Sequence, residues 1–221
     1  MAGKEKLDPS KAPLLPYSPV QYDRTYGDTL TNILRQYFNV LDNITGQLLA
    51  PSGARFLSTP TGSYISTSDQ TAALINTAYP ITLSALNGTV NIDIFIGAAA
   101  ANSFPNSEIY VTYPGIYNLQ FSLQLNNTAT QEHDVNIWLR KNGNNEANTN
   151  TVVGVPSSHG GIDGHTVAAW NFFIEWTNVT DYYELAWSTP STTVKIDYKT
   201  AAAPAPATPS VILTLNYISR V

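Results

Sequence analysis

The chain has 221 residues and no cysteine, which excludes disulfides and thiolate metal sites. Charged residues make up only 12% against 43% hydrophobic, so Asn, Thr, Ser and Gln must supply most of the polar surface. A formal net charge of −5 argues against a nucleic-acid surface, and no apolar run reaches the ~18 residues needed to span a bilayer.

Residues 1–27 carry Pro9, Pro13, Pro16 and Pro19. Each removes an amide donor and fixes φ, which disfavours both helix and central strand. The stretch MAGKEKLDPSK has no apolar run behind its lysines, so no secretory signal is expected. Leu14, Leu15, Tyr17, Val20, Tyr22 and Tyr26 are more apolar than a solvated tail needs. An extended arm docking on another protein is the favoured reading, with a disordered tail as the alternative.

Residues 28–50 predict one amphipathic helix. Asp28 is placed as its N-cap and Pro51 as its stop. Leu30, Tyr37 and Ile44 recur every seven residues, and Ile33, Leu34, Val40, Leu41 and Leu48 fill the stripe between them. A helix of this length is marginal alone in water, so the stripe is buried either on its own domain or in a self-associating bundle. Residues 51–61 read as a linker.

From residue 62 to 221 the pattern is β throughout. Tyr117, Leu119, Phe121, Leu123 and Leu125 alternate with polar residues, as do Val135, Ile137 and Leu139, then Leu185 and Trp187, and finally Val211, Leu213, Leu215 and Tyr217. Trp138 falls out of phase and is expected on the opposite face of its strand. YPG at 113–115, KNG at 141–143, HGG at 159–161 and STPST at 188–192 are turn signals. Regular strands without intervening helices predict an all-β fold, a sandwich or jelly roll rather than an α/β sheet. The segment TAAAPAPATP at 200–209 is expected to be an extended loop, and the last strand is expected to run through the middle of a sheet.

In HTVAAWNFFIEWT, residues 165–177, both strand faces are apolar. Trp170, Phe172, Ile174 and Trp176 are read as facing a second copy of the chain, since a sheet apolar on both sides must be covered on both sides. A carbohydrate-binding aromatic platform is the competing explanation.

Groups able to do chemistry are few. His133, His159 and His165 match no ligand spacing, although His159, Asp163 and His165 flank a glycine turn that could hold a metal; backbone capping is the favoured reading. Glu175 and Glu184 sit on consecutive strands and could face each other as a glycosidase pair, but solvent-facing carboxylates are the favoured reading. Asn43, Asn87, Asn126 and Asn178 sit in Asn-x-Ser/Thr sites, read as accidents of an Asn- and Thr-rich composition. No enzyme, cofactor or metal site is expected.

The run STSDQTAALINTAYPITL, GIYNLQFSLQL, DVNIWLRKNG, GHTVAAWNFFIEW, DYYELAWS and SVILTLNYI, over roughly residues 62–221, resembles the TNF/C1q-like jelly-roll domain of virion proteins of tailed bacteriophages, cyanophage-like ones in particular. Its most specific piece is PGIYNLQFSLQL…IWLRKNG, taken as a hairpin pattern. The resemblance implies a homotrimer, nucleated by residues 28–50, with the arm attaching it to capsid or other virion proteins. It implies a head-fibre or capsid decoration protein assembled in the host cytoplasm and released by lysis. The alternative is a tail or neck fibre, or a receptor-binding domain, recognising host surface glycans.

Overall fold

The computed structural model describes residues 13–17, 19–49, 59–85, 93–97 and 106–220. The expectations for Asn87 and most of the linker fall outside these residues. The chain divides into two compact units, 1–57 and 58–221.

The first unit holds α1, Arg24–Leu49. It begins four residues before the expected cap. Asp23 is the residue that caps it: its Oδ1 accepts the Thr25 amide at 2.8 Å, satisfying an orphan donor of the first turn. Asp28 lies inside the helix and makes only a long, exposed ion pair with Arg24, at 3.9 Å. Tyr26, assigned to the arm, is therefore helical. At 1.5 Å per residue the 26-residue helix is about 39 Å long.

The second unit contains β1 Thr61–Ser66, β2 Gln70–Thr71, β3 Tyr79–Pro80, β4 Ser84–Ala85, β5 Ile94–Gly97, β6 Glu108–Val111, β7 Gly115–Asn127, β8 His133–Lys141, β9 Asn144–Asn145, β10 Thr151–Val155, β11 Gly164–Trp176, β12 Tyr183–Ser188, β13 Val194–Ile196 and β14 Val211–Ser219. They form two antiparallel sheets. In the first, β4, β1, β14, β7 and β11 lie side by side, with β13 and β2 continuing beside the end of β7. In the second, the order is β10, β8, β12, β6, β5, with β3 beside β12 and β9 beside β8.

The chain changes sheet between β7 and β8, between β10 and β11, between β11 and β12, and between β12 and β13. This alternation makes the unit a jelly-roll β-sandwich. It also corrects the hairpin expected from residues 115–143: β7 pairs with β11, β13 and β14, and β8 pairs with β9, β10 and β12, so the two never meet in one sheet. The real two-residue hairpin turn is Asn142–Gly143, where φ values of 50° and 79° fit the type I′ geometry that matches strand twist.

Strand phase follows the sequence pattern. Tyr117, Leu119, Phe121, Leu123 and Leu125 from β7 meet Val135, Ile137, Leu139, Leu185 and Trp187 across the core, with Leu213 and Leu215 from β14 alongside. β14 runs between β7 and β1, as expected of a central closing strand. The Ala-Pro segment folds back on itself rather than extending: Lys199 bridges Thr208, and Ala202 and Ala205 exchange both backbone hydrogen bonds.

Candidate interaction surfaces

The arm comes first. Among residues 13–17 and 19–23 no helix or strand forms, and Leu14, Tyr17, Val20 and Tyr22 are wholly exposed, Tyr17 at 99% and Tyr22 at 95%; Leu15 is half-exposed. On α1, Tyr26, Leu30, Ile33, Leu34, Tyr37, Leu41 and Ile44 recur at three- and four-residue spacing and are each half-buried, while Phe38 and Val40 are exposed on the flank.

β11 is the edge of the first sheet and pairs with β7 along all 13 of its residues. Its facing differs from the expectation. Trp176 is fully buried, with Tyr183 edge-on at 4.6 Å between ring centroids and Tyr117 edge-on at 5.2 Å. Ile174 is buried in the same core, and Phe172 stacks on Phe121. The cover for this half of the strand is therefore the facing sheet of the same subunit, not a second copy. Only Trp170, 39% exposed, reaches the rim of that face.

The outward face of β11 is the other register. It presents Val167 and Phe173, 69% exposed, along with Ala169 and Asn171. Across the sheet the register continues Phe173 to Asn118 and Asn216, and Ala169 to Ser122, Ile212 and Ile65. The face is a mixture of small polar residues and isolated aliphatic ones. Asn118 Oδ1 is buried in it without a hydrogen-bond partner.

The second sheet has a different outer face. Arg140 and Glu184 pair at 3.0 Å, and Arg140 Nε and Nη2 also donate to the Gly143 carbonyl. Glu184 is buried beside Glu108, which accepts from the Tyr110 hydroxyl at 2.6 Å. Burial pushes the Glu184 carboxyl up, and the Glu108 charge adds to the rise that Arg140 opposes. The same burial, reinforced by Glu108, pushes the Tyr110 phenol up. Tyr110 stacks with Phe95 at 5.5 Å and tilts against Tyr182. The Glu108 carboxylate had no signal in the sequence beyond an acidic residue at the head of a short strand.

Glu175 is exposed on the outer face of the first sheet, while Glu184 lies on the outer face of the second. The sheet change between β11 and β12 puts the sandwich between them, so they cannot flank one bond. The histidine loop is a turn: His159 and Ile162 exchange two backbone hydrogen bonds around Gly160 and Gly161. Asp163 accepts from Asn126 Nδ2 at 3.0 Å, with His165 Nδ1 3.4 Å from the same nitrogen. Among the described residues no group of three His, Asp or Glu is placed to hold a metal. Asn126 is buried, whereas Asn43 and Asn178 are exposed.

A pocket of about 330 Å³ opens on the second sheet next to Trp138. Asn136 and Ser188 line one side, and Asn145, Glu146, Asn148 and Asn150 line the other. Trp138 points outward because Val135, Ile137 and Leu139 take the core register. Two bonds tie the segment 145–150 to β8, Glu146 N to Leu139 O and Leu139 N to Thr149 Oγ1, and a third, Thr149 Oγ1 to Glu146 O, closes the segment on itself.

These features define a jelly-roll β-sandwich preceded by a separate helical unit. No protein-family model matches the chain, and no curated protein matches it. Among solved structures, murine APRIL at pH 8.5 aligns with 9% identity and a TM-score of 0.42, covering 73% of this chain and all of that one. Murine APRIL at pH 5.0 aligns with 11% identity and a TM-score of 0.41 over the same shares.

Proposed function

We propose that this chain is a self-associating structural protein of a bacteriophage particle, a head-fibre or capsid decoration protein held to its particle by the N-terminal arm. The observation that carries the reading is the arm: Leu14, Tyr17, Val20 and Tyr22 are large, apolar and exposed. Four such side chains in ten residues favour a segment that is buried on assembly, where each contributes of the order of 1–2 kcal/mol. The half-buried stripe of α1 supports association between copies, because an amphipathic helix gains most of its stability from packing. The outer face of the first sheet offers a second contact through Val167, Phe173 and Ile212, beside the open edge of β11 and the unpartnered Asn118 oxygen. Threefold symmetry comes from the resemblance in the sequence.

The test is deletion of residues 1–22, which removes the arm and leaves the Asp23 cap and α1 whole. The truncated protein is expected to keep its oligomeric state by sedimentation and to lose attachment to particles. Normal decoration by the truncated protein overturns the anchor.

A further inference from the structure

The Trp138 pocket lies on the opposite side of the sandwich from the face assigned to self-association, and its chemistry is distinct from it. We propose that this pocket is a binding site for a neutral saccharide, independent of how the copies assemble.

The argument begins with what the pocket lacks. Its lining contains no cation, so phosphate, sulfate and acidic sugars find no counter-charge there. It has one carboxylate, Glu146, and otherwise amides and a hydroxyl. Such a set both donates and accepts, which is what a ring of hydroxyl groups requires, and a carboxylate accepts hydrogen bonds from two hydroxyls at once.

The amides are half-used. Trp138 Nε1 donates to Asn145 Oδ1 at 2.8 Å, which commits that oxygen and leaves the Asn145 Nδ2 donor available. Asn150 Nδ2 donates to Asn136 Oδ1 at 3.0 Å, leaving Asn136 Nδ2 as a donor and Asn150 Oδ1 as an acceptor. These bonds fix the walls before any ligand arrives, so little ordering is needed on binding. Asn148 sits at φ 62°, a backbone state Asn tolerates, within the pinned segment.

Trp138 supplies the apolar part. It lies directly opposite Ala186 in the register, a residue too small to cover it fully, and is partly buried at the floor of the pocket. An indole beside polar groups suits the C–H face of a pyranose, which is apolar while its rim is hydroxylated. The depression is shallow and open to solvent, and its volume of about 330 Å³ is near the lower end of the roughly 300–1,000 Å³ of small-molecule sites.

The experiment uses the full chain and a panel of neutral mono- and oligosaccharides built from glucose, galactose, mannose and N-acetylglucosamine. Sialylated and sulfated forms serve as charged controls. Saturation-transfer NMR is expected to show transfer to at least one neutral sugar, and titration a dissociation constant that rises about tenfold or more in Trp138→Ala. Because Trp138 is outside the core, folding of the variant is checked by circular dichroism, and Asn148→Ala together with Glu146→Gln provides a second, rim-only disruption with the same expected loss. Absence of transfer from every neutral sugar at tens of millimolar overturns the proposal. So does binding that both variants leave unchanged, or a charged sugar binding more tightly than its neutral counterpart.

Discussion

Trp176→Ala tests the assignment of the β11 inner face to the subunit's own core. A fully buried tryptophan removes roughly 150–250 Å² from water, and at about 25 cal/mol/Å² that is about 4–6 kcal/mol. Alanine keeps a small part of this, and the indole Nε1 is buried without an acceptor, so its removal returns about 1 kcal/mol. The two edge-on contacts with Tyr117 and Tyr183 are lost outright. The net expectation is a loss of about 3–5 kcal/mol, in the range of large-to-small aromatic truncations. Urea unfolding followed by far-UV circular dichroism, at two protein concentrations, measures it. Trp176→Phe keeps a ring in place and drops the orphan donor, so it is expected to cost only about 1–2 kcal/mol. A Trp176→Ala chain with the parental midpoint that has lost only its self-association would refute the reasoning, because it would return this residue to an interface.

A Cβ on Gly164 would clash with the Pro156 carbonyl oxygen, which is backbone and cannot move aside; Gly164→Ala is expected to cost about 3 kcal/mol or more and lower the melting temperature by about 6–12 °C, and an unchanged melt argues against the packing of β11 on the 156–158 segment. Arg140→Ala leaves Glu184 buried without its counter-charge and is expected to cost about 3–5 kcal/mol by chemical unfolding, while the double change Arg140→Met with Glu184→Gln recovers most of it. The Asp181 carboxyl is held down to about 2, first by the Asn142 amide and then by Thr177 and Lys141. Because this lies below its unfolded value, its stabilisation is full above about pH 5 and is lost as pH falls toward 2; Asp181→Asn should flatten the acid limb of a stability–pH profile by about 1–2 kcal/mol. Changing Leu30, Tyr37 and Ile44 together to Ser should shift sedimentation toward smaller species, and an unchanged profile removes the helix from the assembly.

Much of the β unit was legible because alternation reports strand phase directly. The burial of Val135, Ile137 and Leu139 with Trp138 outward follows from period two alone. β11 was misread for the same reason: with both registers apolar, nothing in the pattern says which one meets the core. The edge position decides it, since Ile174 and Trp176 sit under the facing sheet while Trp170 reaches its rim. Sheet membership was equally silent, so β7 and β8 looked like a hairpin and Glu175 and Glu184 like neighbours. The helix start was displaced because Asp23 and Asp28 offer the same capping carboxylate in the sequence, and only the structure shows that Asp23 meets an orphan amide. The pocket had a trace in the sequence, the out-of-phase Trp138 followed by the Asn-rich run 142–150, but only the loop's pinning bonds bring them together.

β1 and β14 are antiparallel neighbours, with Thr61 opposite Asn216, so the point where the sandwich leaves its leader and the point where its last strand finishes sit side by side. Tension applied between those two points would peel the ladder open rung by rung rather than shear it all at once. Such a body tolerates a tug on one tether far better than a pull on both, and a short bridge from residue 219 back to 61 would close the seam where that peeling begins.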